Sequence, residues 1–311
     1  MAAAGPALDN KRSVEYRQLE ARSYLTRCDS PRMPFRWTIN PYRGCEYGCK
    51  YCYARYTHEF MELRESHAFE RKIFAKQFNP KVFVEELARL PVGEAVAIGT
   101  ATDPYQPAER RYRVTRRMLE VLARMGGLRV GITTKSNLIA RDLDVLVEVG
   151  RRHRLTIAIT ITTPDEKLAR LLEPKAPRPA LRLEAVRALA DAGLRVSVSC
   201  APIMPLINDG EGHLDALAGA AAAAGARRLW ANVLFLKPCA QQVFLPFLEE
   251  HFPHLVRRYR ERFERSAYLR GEYPDLIRAR TERIAERYGL NRKTADPDPE
   301  LWPADRQLPL F

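Results

Sequence analysis

The chain reads as an α/β protein built around a parallel barrel, and three observations predict this. Between residues 35 and 236, short runs rich in valine, isoleucine and threonine alternate six times with segments of helical periodicity. With 311 residues and 46% hydrophobic side chains, the chain has enough apolar mass for one barrel-sized core plus appendages. Polar residues gather just after the apolar runs, at the strand ends where α/β barrels hold their active groups.

Residues 1–34 lack either periodicity and end in Pro31-Arg32-Met33-Pro34, so an irregular arm is expected there. Residues 35–41 alternate as a first strand and run directly into a cysteine-rich loop. Further strands are predicted at 95–100, 128–134, 155–160, 194–199 and 229–234. Amphipathic helices are predicted at 82–90, 114–124, 138–149, 181–192 and 214–224. Right-handed helical crossovers between parallel strands then give an open or closed barrel over 35–236. From 237 to 290 the pattern changes to charged helices with aromatics such as Phe244, Phe247, Tyr259 and Phe263. These are expected to cover the open side of the barrel and exclude water. The last helix should end near Gly289, and residues 291–311 form a proline-rich tail that begins with Asp296-Pro297-Asp298-Pro299.

The start of the sequence is too briefly apolar for a signal peptide, and no run approaches the ~20 apolar residues of a membrane span, so a soluble cytoplasmic protein is expected. The net charge of +13 suits a polyanionic partner. Arg110-Arg111-Tyr112-Arg113 with Arg116 and Arg117, and Arg257-Arg258-Tyr259-Arg260 with Arg262, interleave cations and aromatics as nucleic-acid surfaces do. The other reading of these clusters is a solvated helix face, with the charge a product of arginine-rich composition.

The loop Asn40-Pro41-Tyr42-Arg43-Gly44-Cys45-Glu46-Tyr47-Gly48-Cys49-Lys50-Tyr51-Cys52-Tyr53-Ala54-Arg55 carries three of the six cysteines. Three residues separate the first pair and two the second, so one compact loop can aim all three thiolates at a common centre. Thiolates favour iron–sulfur clusters or zinc. A closed zinc site takes four ligands, and no fourth cysteine or histidine stands at ligand spacing. A [4Fe–4S] cluster held by Cys45, Cys49 and Cys52 would keep one iron open. The alternatives are a disulfide, which a reducing cytosol disfavours, and a partial zinc knuckle.

This CxxxCxxC spacing, with Tyr51 just before the last cysteine, resembles the cluster loop of radical S-adenosylmethionine (radical SAM) enzymes. The resemblance implies a (β/α)6 partial TIM-type barrel with the cluster loop after the first strand. It also implies a [4Fe–4S] cluster whose open iron chelates S-adenosylmethionine, and reductive cleavage of that cofactor to a 5'-deoxyadenosyl radical. A reducing electron donor such as flavodoxin or ferredoxin is implied as well. The loop after the second strand usually holds the methionyl amine in this superfamily, which makes Thr100, Thr102 and Asp103 the candidates, although the usual Gly-Gly-Glu form is absent. Lys135 and Ser136 after the third strand, and Thr160 and Thr162 after the fourth, could reach the carboxylate or ribose, with Glu173 and Arg182 further on. Each threonine could equally cap a helix or close a turn.

The succession Asn-Pro-Tyr-x-Gly-Cys-x-x-Gly-Cys-x-Tyr-Cys-Tyr-Ala-Arg, Thr-Asp-Pro-Tyr-Gln-Pro-x-Glu and Thr-Lys-Ser, within residues 35–209, is similar to the branch related to spore photoproduct lyase, often labelled "DNA repair photolyase". That branch implies a hydrogen-donating cysteine ahead of the Asp103 loop, where this chain has Thr100. A hydroxyl is a far poorer hydrogen-atom donor than a thiol, so dimer reversal by that route is not expected. Cys200, Cys239 and Tyr105 are the remaining catalytic candidates, against the plainer reading of cysteine as a small buried hydrophobe.

The last five residues, Gln307-Leu308-Pro309-Leu310-Phe311, resemble the peptide by which bacterial repair factors dock on the DNA sliding clamp, a polar residue and spaced apolar anchors suited to a partner's pocket. The leading expectation is therefore a radical SAM enzyme acting on nucleic acid, in DNA repair or base modification. A protein or small-molecule substrate is the alternative, and a metal-stabilised nucleic-acid-binding protein without catalysis is the second.

Overall fold

The computed structural model describes residues 4–11 as a strand, without its side chains, and residues 14–291 in full. The clamp-like pentapeptide and the proline-rich stretch before it lie outside the described residues. The strands are β1 (Ala4–Lys11), β2 (Val14–Leu19), β3 (Leu25–Arg27), β4 (Trp37–Ile39), β5 (Tyr42–Arg43), β6 (Lys72–Lys76), β7 (Ala95–Ile98), β8 (Arg129–Thr134), β9 (Arg154–Thr160), β10 (Val196–Ile203) and β11 (Arg228–Val233). The helices are α1 (Tyr56–Glu59), α2 (Ala68–Arg71), α3 (Pro80–Ala88), α4 (Glu109–Tyr112), α5 (Val114–Leu122), α6 (Leu143–Arg152), α7 (Glu166–Leu172), α8 (Pro179–Asp191), α9 (Glu211–Ala223), α10 (Pro238–His251), α11 (Val256–Phe263) and α12 (Glu272–Arg287).

The main sheet has the order β11-β10-β9-β8-β7-β4-β3. Its first six strands are parallel and β3 pairs antiparallel with β4 at one edge. These six parallel strands are the six predicted apolar runs. The sheet stays open, with β3 and β11 at its two ends. Helix starts follow local chemistry: Asn79 accepts from Lys81 N and Val82 N at 3.0 and 3.5 Å with Pro80 in the first turn, so α3 begins two residues before the predicted helix.

Strand register sorts the side chains into two faces. Val96, Ile98, Val130, Ile132, Ile157 and Val198 share the face packed against Met118 and Leu119 of α5, Leu146 of α6 and Leu189 of α8 in one buried cluster. The other face carries Ala97, Gly131, Thr133, Thr156, Ala158 and Ser197. Thr133 and Thr156 are exposed although their strands lie in the middle of the sheet. The inner surface of this barrel is thus small, polar and open to solvent, unlike the side-chain-filled interior of a closed eight-stranded barrel.

Two expectations need correction. The first 34 residues are not an irregular arm: β2 pairs parallel with β6 and antiparallel with β1, in a second sheet of order β1-β2-β6-β5. The burial of Val14, Tyr16 and Leu19 is too short a pattern to read without its distant partner β6. The C-terminal helices also divide their work. Phe244, Phe247, Tyr259 and Phe263 of α10 and α11 are buried in one cluster with Cys45, Tyr47, Cys49 and Tyr51, as a cover would be. In α12, by contrast, Ile277, Ile284 and Ala285 join the main core beside Leu214 and Leu217 of α9, on the outer face of the barrel. Among the described residues no helix is long and apolar enough to cross a membrane.

Candidate active site

The loop after β4 is held from both sides by main-chain bonds. Cys45 N donates to Phe69 O at 2.9 Å, Lys50 N to Leu172 O at 2.9 Å and Lys175 N to Tyr47 O at 3.3 Å, while Cys52 N closes a turn onto Cys49 O at 3.2 Å. Gly44 has φ +78°, and a Cβ there would lie 2.7 Å from Lys72 O and 2.8 Å from Phe69 O, so no other residue fits. Its carbonyl accepts from Thr102 Oγ1 at 2.6 Å and Gln106 Nε2 at 2.9 Å, and Gln106 Oε1 accepts from Glu46 N at 3.0 Å. Beneath the loop, the buried Arg55 guanidinium donates to Cys49 O at 3.2 Å and pairs with Glu70 at 2.6 Å.

Cys45 and Cys49 are buried and Cys52 is half-buried. Burial pushes all three thiols up, Cys49 to about 12; Cys45 also feels the charge of Cys49 and Cys52, and Cys49 that of Cys52. Lys135 opposes this at Cys49 and Arg55 at Cys52. Among the described residues no three His, Cys, Asp or Glu side chains sit close enough together to hold a single metal ion.

Beside the thiols lies a buried ion network. Glu173 pairs with Arg182 at 2.5 Å, both 1% exposed, and Lys135 Nζ stands 4.0 Å from the same carboxylate. Burial opposes ionisation of Glu173, but Arg182 and Lys135 outweigh it and hold the carboxyl below its ordinary range. Tyr51 OH donates to Glu173, and Thr162 Oγ1 donates to it at 2.7 Å. Arg182 also donates to Thr160 O at 3.0 Å and Pro177 O at 2.7 Å. Stripping one partner from such a buried pair costs on the order of 3–5 kcal/mol, so Glu173 and Arg182 are committed to each other. Lys135, with 19% of its side chain exposed and 5.7 Å from the Tyr51 ring, keeps a solvent-facing charge at the rim.

The other sequence candidates are placed as follows. Asp103 accepts from Thr134 Oγ1 at 2.6 Å, Lys135 N at 2.7 Å and Tyr105 N at 2.9 Å, tying the ends of β7 and β8 together. Thr102 braces Gly44, and Ser136 caps the following turn by accepting from Leu138 N at 3.2 Å. Thr100 Oγ1 accepts from Asn40 Nδ2 at 3.2 Å, while its carbonyl accepts from Tyr53 OH. Tyr105 and Cys200 are fully buried; Cys200 donates to Thr162 O at 3.5 Å, and burial pushes its thiol up to about 12. Cys239 is half-buried near Tyr56 rather than in the thiol trio.

The sequence-predicted basic clusters are partly taken up by other contacts, although Arg111 lies over the half-exposed Tyr112 ring at 5.6 Å. Tyr259 is 1% exposed, Arg257 pairs with Glu261, Arg260 with Glu249, and Arg116 with Asp142 and Asp144. Sequence reasoning missed Asn40, Gln106 and Arg55 as loop braces, though all three stand inside the quoted motifs. It also missed Tyr53, whose ring is 40% exposed beside Cys52.

A six-stranded parallel sheet, open at its edges, with a braced three-cysteine loop after its first parallel strand, defines the class of radical SAM cores. The sequence profile of the Radical SAM superfamily matches residues 39–217, and the chain belongs to that superfamily. Its cofactors are a [4Fe–4S] cluster and S-adenosylmethionine, and it is an enzyme rather than a binding protein without catalysis. An uncharacterized protein of Mycobacterium tuberculosis is 34% identical over 96% of this chain and 88% of its own length. One from Methanocaldococcus jannaschii is 25% identical over 70% of this chain and 77% of its own. Among solved structures, a spore photoproduct lyase variant with bound AdoMet and dinucleoside spore photoproduct superposes with a TM-score of 0.63 at 17% identity, over 86% of this chain and 78% of that one. At that identity the likeness shows the fold alone.

The residues fit the cofactors. The loop supplies three free thiols, the donor set a cluster takes, and the neighbouring rim supplies Lys135 as a cation.

Proposed function

We propose that this enzyme acts on nucleic acid, with a modified or damaged DNA base as its substrate. The observation that carries the reading is the inner face of the sheet. It is open and polar, and four neighbouring strands each bring an arginine onto it at or just before their first residue: Arg129, Arg154, Arg195 and Arg228. Burial, Arg195 and Arg129 lower the pKa of Arg154, so positive charge is concentrated at the end of the barrel opposite the cysteine loop. The net charge of +13 agrees.

Cys45, Cys49 and Cys52 hold the cluster in this reading. When bound, the cluster and S-adenosylmethionine supply reductive carbon–sulfur cleavage and hydrogen-atom abstraction. The chain's own part is binding and orientation. Lys135 would meet the cofactor's carboxylate, Asp103, Thr102 and Ser136 fix the loops beside it, and α10 and α11 keep water from the thiols. A duplex base must be flipped out or met single-stranded to enter. Thr100 occupies the position where the lyase-related branch implies a donor thiol, so dimer reversal by that thiol-dependent route is not expected. A small protein reductant supplies electrons, and residues 307–311 dock the enzyme on the sliding clamp.

Anaerobic reconstitution should give about four irons per chain and reductant-dependent 5'-deoxyadenosine. With perdeuterated DNA, deuterium should appear in that 5'-deoxyadenosine. Cofactor cleavage without label transfer from any DNA preparation would overturn the substrate while leaving the chemistry intact.

A further inference from the structure

The two ends of the open sheet meet, at the rim that bears the cysteine loop, through aromatic side chains. Tyr53 follows the cysteine loop beyond β4, Phe235 follows β11, and their rings lie 5.9 Å apart. Phe235 stacks on Tyr268 at 4.3 Å with 29° between planes, and the two residues form an antiparallel bridge, with Leu236 N donating to Ala267 O at 2.9 Å. The exposed Arg32 guanidinium, on the connection from β3 to β4, lies 4.4 Å from the Tyr268 ring centre. Lys237 adds a second cation, 3.7 Å from the Tyr56 ring and 6.0 Å from that of Phe235. Tyr53 is 40% and Tyr268 45% exposed, so this is a surface stack rather than a core. The connection carrying Arg32 borders an open depression of about 350 Å³ whose charged lining is Arg27, paired with Asp29, and Arg36.

We propose that Tyr53, Phe235, Tyr268 and Arg32 form a stacking ladder that receives a single strand of DNA at the seam of the barrel and leads it to the cysteine loop. The inference rests on the nucleic-acid reading above and adds the surface that would take the strand. Aromatic rings accept any base face, and cations set among them meet the phosphates, the combination that single-strand binders use. A base entering the ladder displaces the Arg32 guanidinium from the Tyr268 face, and the freed cation turns to the neighbouring phosphate. Rings left this exposed, with a cation over one of them, add little to folding, whereas exposed rings beside cations match a nucleotide chain.

The test is fluorescence anisotropy of the reconstituted full-length enzyme with a labelled oligothymidylate strand and a duplex of equal length. Tyr268→Ala should weaken strand binding about tenfold, Tyr268→Phe should stay within about twofold of wild type, and duplex binding should change little. Arg32→Ala should lower the slope of log affinity against log salt by about one. Unchanged strand binding by a folded Tyr268→Ala variant overturns the ladder alone. A wild-type enzyme that binds no oligonucleotide sinks both the ladder and the nucleic-acid reading. Stronger binding of an RNA strand, or equal competition by an acidic peptide, would reassign the surface and overturn the proposal for DNA.

Discussion

His58 shows how a single side chain ties the cysteine loop to pH. It is 2% exposed, edge-on to Phe69 and Phe74, with Nε2 3.0 Å from Lys72 O and Nδ1 without a partner among the described residues. Burial lowers its pKa from 6.5 to about 4. A base with a depressed folded pKa takes its proton more readily when unfolded. Its contribution is therefore complete above pH 6.5 and is lost as pH falls toward 4, on the order of 3 kcal/mol in all. Urea unfolding of wild type and His58→Gln between pH 7 and 4 should show a smaller loss in the variant, and parallel curves would refute the assignment. This residue was not legible beforehand, because a lone histidine acquires its meaning from neighbours 11 to 16 positions away. The cysteines were legible for the opposite reason: their spacing is local, and three ligands on one loop need no tertiary information. Thr102 and Asp103 fall between these cases. Their position at a strand end was readable, but whether a hydroxyl meets a cofactor or the Gly44 carbonyl depends on a loop 58 residues upstream.

At the scale of elements, the six parallel strands were readable because they alternate with helical segments along the chain, although the helix predicted at 138–149 begins only at Leu143, after a tighter turn over Asn137–Asp142. The strands β2, β5 and β6 were not, although β2 with six residues is longer than β4 with three, since they stand outside that alternation and find their partners in a separate sheet. The cysteine loop is itself an element, and Gly44 is its tightest point. Gly44→Ala would force a Cβ into two carbonyl oxygens less than 3 Å away at a left-handed φ, a strain of about 1–3 kcal/mol or more. The variant is expected to fold, because the parallel sheet does not depend on Gly44, yet to retain less than half the iron of wild type after reconstitution. Full iron content with native 5'-deoxyadenosine yield would show that the loop tolerates the shift. The cover formed by α10 and α11 lies between β11 and α12 in the chain, which explains why a reading from composition assigned all three helices one task. Periodicity marks a helix but does not say which wall it joins.

At the scale of the molecule, the charge was legible as a number but not as a map. Tyr259 and Arg116, conspicuous in the sequence, are taken up by the core and by carboxylates, while Arg129, Arg154, Arg195 and Arg228 are scattered along the chain and become neighbours only through strand register. The C-terminal pentapeptide belongs to this scale too, since its proposed partner is another assembly. Removing residues 307–311 should leave cofactor cleavage unchanged and abolish capture by immobilised sliding clamp, and undiminished capture would end that assignment.

The sheet that never closes has a consequence for reach. A barrel sealed on every side admits only what can pass through its mouth, and a polymer would have to be presented end first. Here β3 and β11 are not paired with each other, and at the rim side chains such as Tyr53, Phe235 and Tyr268 span the gap, so entry from the side asks for rotation of side chains rather than the parting of a strand ladder.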